Sequence, residues 1–431
     1  MARFAVPETR GSALPELGRA LTRNLFEGTG EGQHLLSVVE GQWPQDVCGQ
    51  VYILGPDRRA PGGHWFAGQG LLMKIGMTPE QGGHIAVRMR RVNTPMNRLR
   101  ARFPGRFRMV RDLLEASPLG FTNFANTNVQ SFGGRLFVGY DVGRPVEVDP
   151  ETLAYLGPVG ALDEWVPSLP GLVDPLFMVA AHPAPDHVER ALYFVNYRQL
   201  VPGRGAEVYL VRWDLQGALR RVRLVGPREF DSIHDVRATR DHLVFSDLPF
   251  VTVSPGAQPR PMQDFTRLWI VRKKDLRAAG HGGEVVAREL KIPISTGHLT
   301  VDYEEGGDGS LTVVLQHMIA TDLASALGPD DRRALDGQPF DEAYHGLPRF
   351  GPQPAVIGRY RIDPVDGRVL EKELAYSRDG IWGPLLATFD DHSASARSGG
   401  IRSIFQCGLG APGELLSAAF ARSHRESGQL L

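Results

Sequence analysis

Short apolar runs broken by glycine and proline recur along the chain. Examples are Val51-Tyr52-Ile53-Leu54, Arg135-Leu136-Phe137-Val138-Gly139-Tyr140, Ala191-Leu192-Tyr193-Phe194-Val195 and Leu243-Val244-Phe245. Runs of this length bounded by turn residues predict strands. Helical periodicity is scarce. Its best stretch is Arg108 to Leu119, with Met109, Leu113, Leu114 and Leu119 as the apolar members, and a helix is expected there.

A loose repeat overlies this pattern. A strand ends in an aspartate, a short turn follows, and a second strand begins. It occurs at Val148-Asp149-Pro150-Glu151-Thr152-Leu153, Trp213-Asp214-Leu215-Gln216-Gly217, Lys274-Asp275-Leu276 and Ile362-Asp363-Pro364-Val365-Asp366-Gly367. Asp-Gly between alternating strands is a hairpin cue. The spacing is about 60 to 65 residues at first and longer across an insertion rich in Gly, Pro and Asp at roughly 320–352. Four-stranded units at a near-regular period point to the blades of a β-propeller joined by long loops. A pair of β-sandwiches is the competing all-β arrangement.

Composition adds limits. The 431 residues suffice for a single large all-β unit over 1–431, with 42% hydrophobic and 23% charged residues, as in globular chains. A net charge of −1 gives no electrostatic basis for nucleic-acid binding. Two cysteines, Cys48 and Cys407, exclude a disulfide scaffold or a four-cysteine zinc site. The first residues hold no apolar core of a signal peptide, and no run of about 18 apolar residues occurs. A cytoplasmic protein is expected.

The sequence contains no P-loop, no G-x-S-x-G elbow and no H-E-x-x-H. Three of its 13 histidines share a context: His182 in Met178-Val179-Ala180-Ala181-His182-Pro183, His234 in Asp231-Ser232-Ile233-His234-Asp235, and His298 in Ser295-Thr296-Gly297-His298-Leu299-Thr300. Each follows an aspartate hairpin by about 20 to 33 residues. That interval places them at a similar point of successive blades, near the innermost strands, where imidazoles can converge on one metal. Imidazole nitrogen suits iron, zinc and copper alike. Separate histidines satisfied by hydrogen bonds are the competing reading.

At these residues the chain resembles the carotenoid cleavage oxygenase family over about residues 35 to 425. His182 resembles that family's Ala-His-Pro ligand. His234-Asp235 with Leu243-Val244-Phe245-Ser246-Asp247-Leu248-Pro249 resembles its His-Asp-Phe segment and sequel, and His298 with Tyr303-Glu304-Glu305 its third ligand and acidic tail. His64-Trp65-Phe66-Ala67-Gly68-Gln69-Gly70 and Asn126-Thr127-Asn128-Val129 match non-ligand stretches. The resemblance implies a seven-bladed propeller, ferrous iron, Fe(2+), held by His182, His234 and His298, and carboxylates that orient the imidazoles. Asp141, Glu304 and Glu305 are the expected carboxylates.

There are departures. Ala67 and Gln69 stand where the family commonly has Asp, and Asp141 stands where it has a longer Glu. Tyr140 occupies a position that is Lys in stilbene-cleaving members, which argues against that branch. The family's fourth ligand lies in a Phe-x-x-His-like segment of the last blade, and relatives continue past the point where this chain ends at Leu431. The expectation is therefore a propeller lacking its last blade. His392 is the in-chain candidate for a fourth ligand, with His317 and His345 behind it. The implied activity is cleavage of a conjugated C=C bond in a carotenoid or apocarotenoid with O2. Apolar stretches from Leu113 to Phe121 and Trp165 to Phe177 are candidates for a tunnel mouth or a peripheral membrane contact, with ordinary packing as the alternative. A catalytically inactive propeller that binds an apolar ligand or a partner is the second functional reading. A different histidine–metal hydrolase is the third, for which no base motif is visible.

Overall fold

A computed structural model describes residues 31–57, 64–80, 82–102, 122–168, 176–198, 205–249, 263–318, 321–350, 356–376 and 415–426. Five sheets dominate. The first contains β1 (Gly32–Leu36), β2 (Gln50–Pro56), β3 (Gly70–Gly76) and β4 (Ile85–Arg91), in the order β1-β4-β3-β2. The second is β5 (Asn128–Phe132), β6 (Arg135–Gly139), β7 (Val146–Val148) and β8 (Tyr155–Pro158), in sequence order. The third runs β10 (Ala184–Asp186), β11 (Ala191–Arg198), β12 (Glu207–Trp213) and β13 (Arg220–Val225), with β9 (Met178–Val179) beside β11. The fourth runs β14 (Ser232–Ala238), β15 (His242–Leu248), β16 (Phe265–Arg272) and β18 (Arg288–Pro293). The fifth runs β19 (Thr296–Val301), β20 (Leu311–His317), β23 (Val356–Asp363) and β24 (Arg368–Tyr376).

The aspartate repeat marks one place in the blade. Asp149, Asp214 and Asp363 each sit in the turn from third to fourth strand of their sheet, and each carboxylate accepts backbone N–H bonds from the next residues. These are Asx turns, in which the side chain mimics a backbone turn. Asp275 departs from the pattern. It lies in the helix α1 (Lys273–Ala279), because the fourth sheet expands this turn into α1 and the strand β17 (Glu284–Val286). β17 pairs in parallel with β13 and so ties the third sheet to the fourth. The expected insertion holds the ribbon of β21 (Thr321–Ala326) with β22 (Pro348–Phe350), above a small core of Leu327, Phe340 and Leu347.

Packing distinguishes a propeller from paired sandwiches. Tyr193, Val195 and Tyr197 of β11 pack with Phe245 and Trp269 of the fourth sheet. Their alternates Leu192 and Phe194 pack with Phe137 of the second sheet and Trp165. In the fourth sheet Trp269 faces the third, while Leu268 and Ile270 face Leu299, Val313 and Leu315 of the fifth. Successive side chains of a strand point to opposite faces. A sheet sandwiched between two others therefore needs both parities apolar, as the run Ala191 to Val195 is. The second, third and fourth sheets thus each pack on the one before and the one after, as propeller blades do.

Edge strands of neighbouring sheets also touch: β2 with β5, β10 with β14, and β14 with β19. Asn126 Nδ2 donates to the carbonyls of Phe66 and Gly68, at 2.7 Å each, joining the two non-ligand stretches of the sequence. Gly70 is required there, since a Cβ would lie 1.7 Å from the Ala125 carbonyl oxygen.

Five such sheets lie among the described residues, against the seven blades the resemblance implies. The predicted helix from Arg108 to Leu119, as well as His392, lies outside the described residues. No helix among those described is long and apolar enough to cross a membrane. The packing scheme predicts that Phe194→Ala, which empties a fully buried site edge-on to Trp165, lowers the free energy of unfolding by about 3–5 kcal/mol. Chemical denaturation measures this; an unchanged midpoint would contradict the scheme.

Candidate metal centre

The strand Ser232–Ala238 is buried at every position although it carries Ser232, His234, Asp235 and Arg237. Burying so many polar groups is unfavourable unless each finds a partner. Ser232 and Arg237 find theirs within the sheet, in the Leu248 carbonyl and in the Val236 carbonyl with Asp235, whereas His234 and Asp235 find theirs on the neighbouring sheets, in Asp141 and His298. His182 precedes β10, His234 lies in β14 and His298 in β19. Between Ile233 and Val236, and again between Thr296 and His298, the pairing register shifts. Such bulges re-aim side chains, and here they coincide with two of the histidines.

The segments are locked by their backbones. The His182 N–H donates to the His234 carbonyl at 3.0 Å, and the Val236 N–H donates to the His182 carbonyl at 3.0 Å. The three rings then meet. Centroids are 4.7 Å apart for His182 and His234, 5.0 Å for His234 and His298, and 5.3 Å for His182 and His298. One nitrogen from each lies within 4.8 Å of the others. That is within reach of a single ion, whose bonds to imidazole run about 2.0–2.1 Å when the metal is zinc.

Two carboxylates fix the rings. Asp141 Oδ1 is 2.7 Å from His234 Nδ1, and Asp235 Oδ2 is 2.8 Å from His298 Nδ1. With Nδ1 engaged, each ring leaves Nε2 for a ligand. Asp235 Oδ1 accepts no well-formed hydrogen bond, yet it faces His182 Nδ1 at 3.9 Å and Arg237 Nη2 at 3.2 Å. Burial pushes the Asp235 carboxyl up, but Arg237 and the imidazoles outweigh it and hold the group well below the usual range. Burial holds His182 well below the ordinary imidazole value, so it offers a neutral nitrogen. At His234 burial also lowers the value, and the Asp141 carboxylate outweighs it and raises the net result. A buried cluster of three imidazoles oriented by carboxylates fits a borderline transition metal rather than magnesium or calcium, which favour oxygen donors.

The remaining predicted residues fall elsewhere. Glu304 pairs with Arg240. Glu305 accepts from Thr239 Oγ1 at 2.6 Å and the Asp241 N–H at 3.0 Å, and meets His242 Nδ1 at 2.9 Å. Both follow the end of β19 and bond the turn between β14 and β15, so neither touches the three imidazoles. His317 is bonded to Tyr360 Oη at 2.8 Å within the fifth sheet and is not part of the cluster. His345 closes a short helical turn at Glu342. Trp165 and Phe177 are core residues, whereas Leu113 to Phe121 lies outside the described residues.

Asp235 was not singled out from the sequence. A residue adjacent to a ligand in a strand points to the opposite side, so it is not expected to serve that ligand. It serves His298 and faces His182, on the strands to either side. Replacing it by the isosteric amide removes the charge while keeping the shape. Asp235→Asn should weaken binding of a divalent metal about 10- to 100-fold. Anaerobic calorimetric titration measures it, and wild-type affinity would contradict the role.

The model of the family described as retinal pigment epithelial membrane protein matches residues 25–397. Apocarotenoid-15,15'-oxygenase of Synechocystis sp. is 24% identical over 382 residues, covering 81% of this chain and 69% of the relative. Among solved structures, a variant of Synechocystis apocarotenoid oxygenase aligns with a TM-score of 0.53 and 19% identity, over 83% of this chain and 72% of that one. The lignostilbene dioxygenase of Pseudomonas brassicacearum aligns with a TM-score of 0.54 and 21% identity, over 79% and 67%. These likenesses agree in fold with the fan of sheets described above. The chain belongs to the family of retinal pigment epithelial membrane protein, the carotenoid oxygenases that its histidine motifs resemble.

Proposed function

We propose that the protein is a non-haem iron dioxygenase that cleaves a conjugated C=C bond of an apocarotenoid or carotenoid with O2. The observation that carries the reading is the convergence of His182, His234 and His298 from three successive sheets onto one point. Family membership and the Synechocystis relative, named as an apocarotenoid oxygenase, supply the reaction class. Tyr140 in place of the lysine of stilbene-cleaving members favours a polyene over a stilbene.

In this reading the three histidines hold Fe(2+), which when bound supplies the site for O2 activation. Three neutral ligands leave the ion its charge and leave positions open for O2. Asp141 keeps the His234 ring in place through Nδ1, and Asp235 does the same for His298. Neither carboxylate is asked to move a proton to substrate. The protein's work is to orient the imidazoles and to keep the ion in a largely buried setting, where side-chain exposure of the three rings is 10–12%. The non-catalytic alternative is not favoured, because both named relatives are oxygenases.

The test is anaerobic loading with ferrous iron, exposure to O2 with an apocarotenal, and chromatography of the products. Cleavage should require iron, vanish on chelation and not return with zinc. His234→Ala should lose both iron and turnover. A variant retaining both, or cleavage by the zinc-loaded protein, would overturn the proposal.

A further inference from the structure

The site owes its geometry to three strands, and those strands share a second meeting point. Lys273, at the start of α1, is fully buried, with no side-chain exposure. Its ammonium pairs with Asp186 of β10, which is equally buried. It also donates to the carbonyl of Thr239 at 2.6 Å and lies 3.3 Å from that of Arg240, just past the end of β14. The Tyr303 hydroxyl, just past the end of β19, donates to the other oxygen of Asp186 at 3.1 Å, and the Arg240 N–H donates to the Tyr303 carbonyl at 2.8 Å. Asp186 follows His182 by four residues, Thr239 follows His234 by five, and Tyr303 follows His298 by five. The same three segments that present imidazoles at one end converge on one lysine at the other. An extended strand rises about 3.3 Å per residue, which separates the two ends by roughly 15 Å.

We infer that Lys273 and Asp186 form a positioning device for the metal centre, fixing the relative register of the three ligand-bearing strands. This rests on the reading that His182, His234 and His298 hold a metal. A buried ion pair is weak evidence of stability, since apolar replacements of similar volume are often neutral or better. Specifying one arrangement of strands accounts for it more directly. The ammonium's donors are directed to two strands, and its partner carboxylate reaches the third through Tyr303. A ligand set must be held within about 0.5 Å to keep its affinity. A slip of one strand past another at the Lys273 end would be carried to the imidazoles.

Lys273→Met alone strands the Asp186 carboxylate, so the informative variant is the neutral pair Lys273→Met/Asp186→Asn. The amide retains an oxygen for the turn bonds that Asp186 Oδ1 accepts from the Val188 and Glu189 N–H groups. Tyr303→Phe is the milder variant, and Ile362→Val, in the core of the fifth sheet, is the control for a general loss of stability. Cobalt(II) is titrated anaerobically into each full-length protein, reading affinity and the visible ligand-field bands, alongside thermal unfolding. In the neutral pair the dissociation constant should rise about 10-fold or more, with altered bands, while a cooperative melt is retained. Tyr303→Phe should shift the same two readouts in the same direction by less, and Ile362→Val should leave them unchanged. Wild-type affinity and spectrum in both the neutral pair and Tyr303→Phe would overturn the inference, as would an equal loss in Ile362→Val. Should the pair not fold, Tyr303→Phe decides against the same control. Wild-type protein that takes up no cobalt would overturn the histidine site itself, and this inference with it.

Discussion

The arrangement depends on one constraint: three imidazole nitrogens from three separate sheets must come within reach of one ion. No single strand can do this, because its side chains alternate faces and cannot converge. The chain meets the constraint by placing His182 just before, and His234 and His298 within, the first strands of successive sheets and by bringing those strands edge to edge. Asp141 and Asp235 then fix two of the rings from behind. Asp235 couples the sheets chemically, since it sits beside His234 yet bonds His298.

The rest of the fold holds that convergence in place. Strands such as β11 are apolar at both parities, so the third sheet packs on the second with Phe194 and on the fourth with Tyr193 and Tyr197. Interiors this closely packed transmit displacement rather than absorb it. Two clusters of buried polar groups bear on the ligand-bearing segments. One surrounds the imidazoles; the other surrounds Lys273, with Asp186, Thr239 and Tyr303. Glu304 and Glu305 belong near the second, where they bond the turn that carries Arg240 and His242.

The strands were legible because their apolar runs are short and bounded by turn residues. The blade pattern was legible because Asp149, Asp214 and Asp363 occupy the same turn in three sheets. Asp275 misled, since a helix and an extra strand replace the turn in the fourth sheet. The three histidines were legible from their shared interval after those turns together with the family motifs. Asp141 was found through the resemblance alone. Glu304 and Glu305 kept their offset in sequence, but the chain leaves the strand before reaching them, so offset did not translate into proximity. Asp235 and Lys273 were missed for one reason: each acts on strands other than its own. Pairing between strands distant in sequence leaves no periodic mark in either of them.

X-ray absorption at the iron edge of the anaerobically loaded protein tests the central claim most directly. The account predicts one ferrous ion per chain, with the multiple-scattering signature of at least three imidazoles around it. Iron surrounded by oxygen donors without imidazole scattering, or protein that retains no iron after desalting, would contradict it.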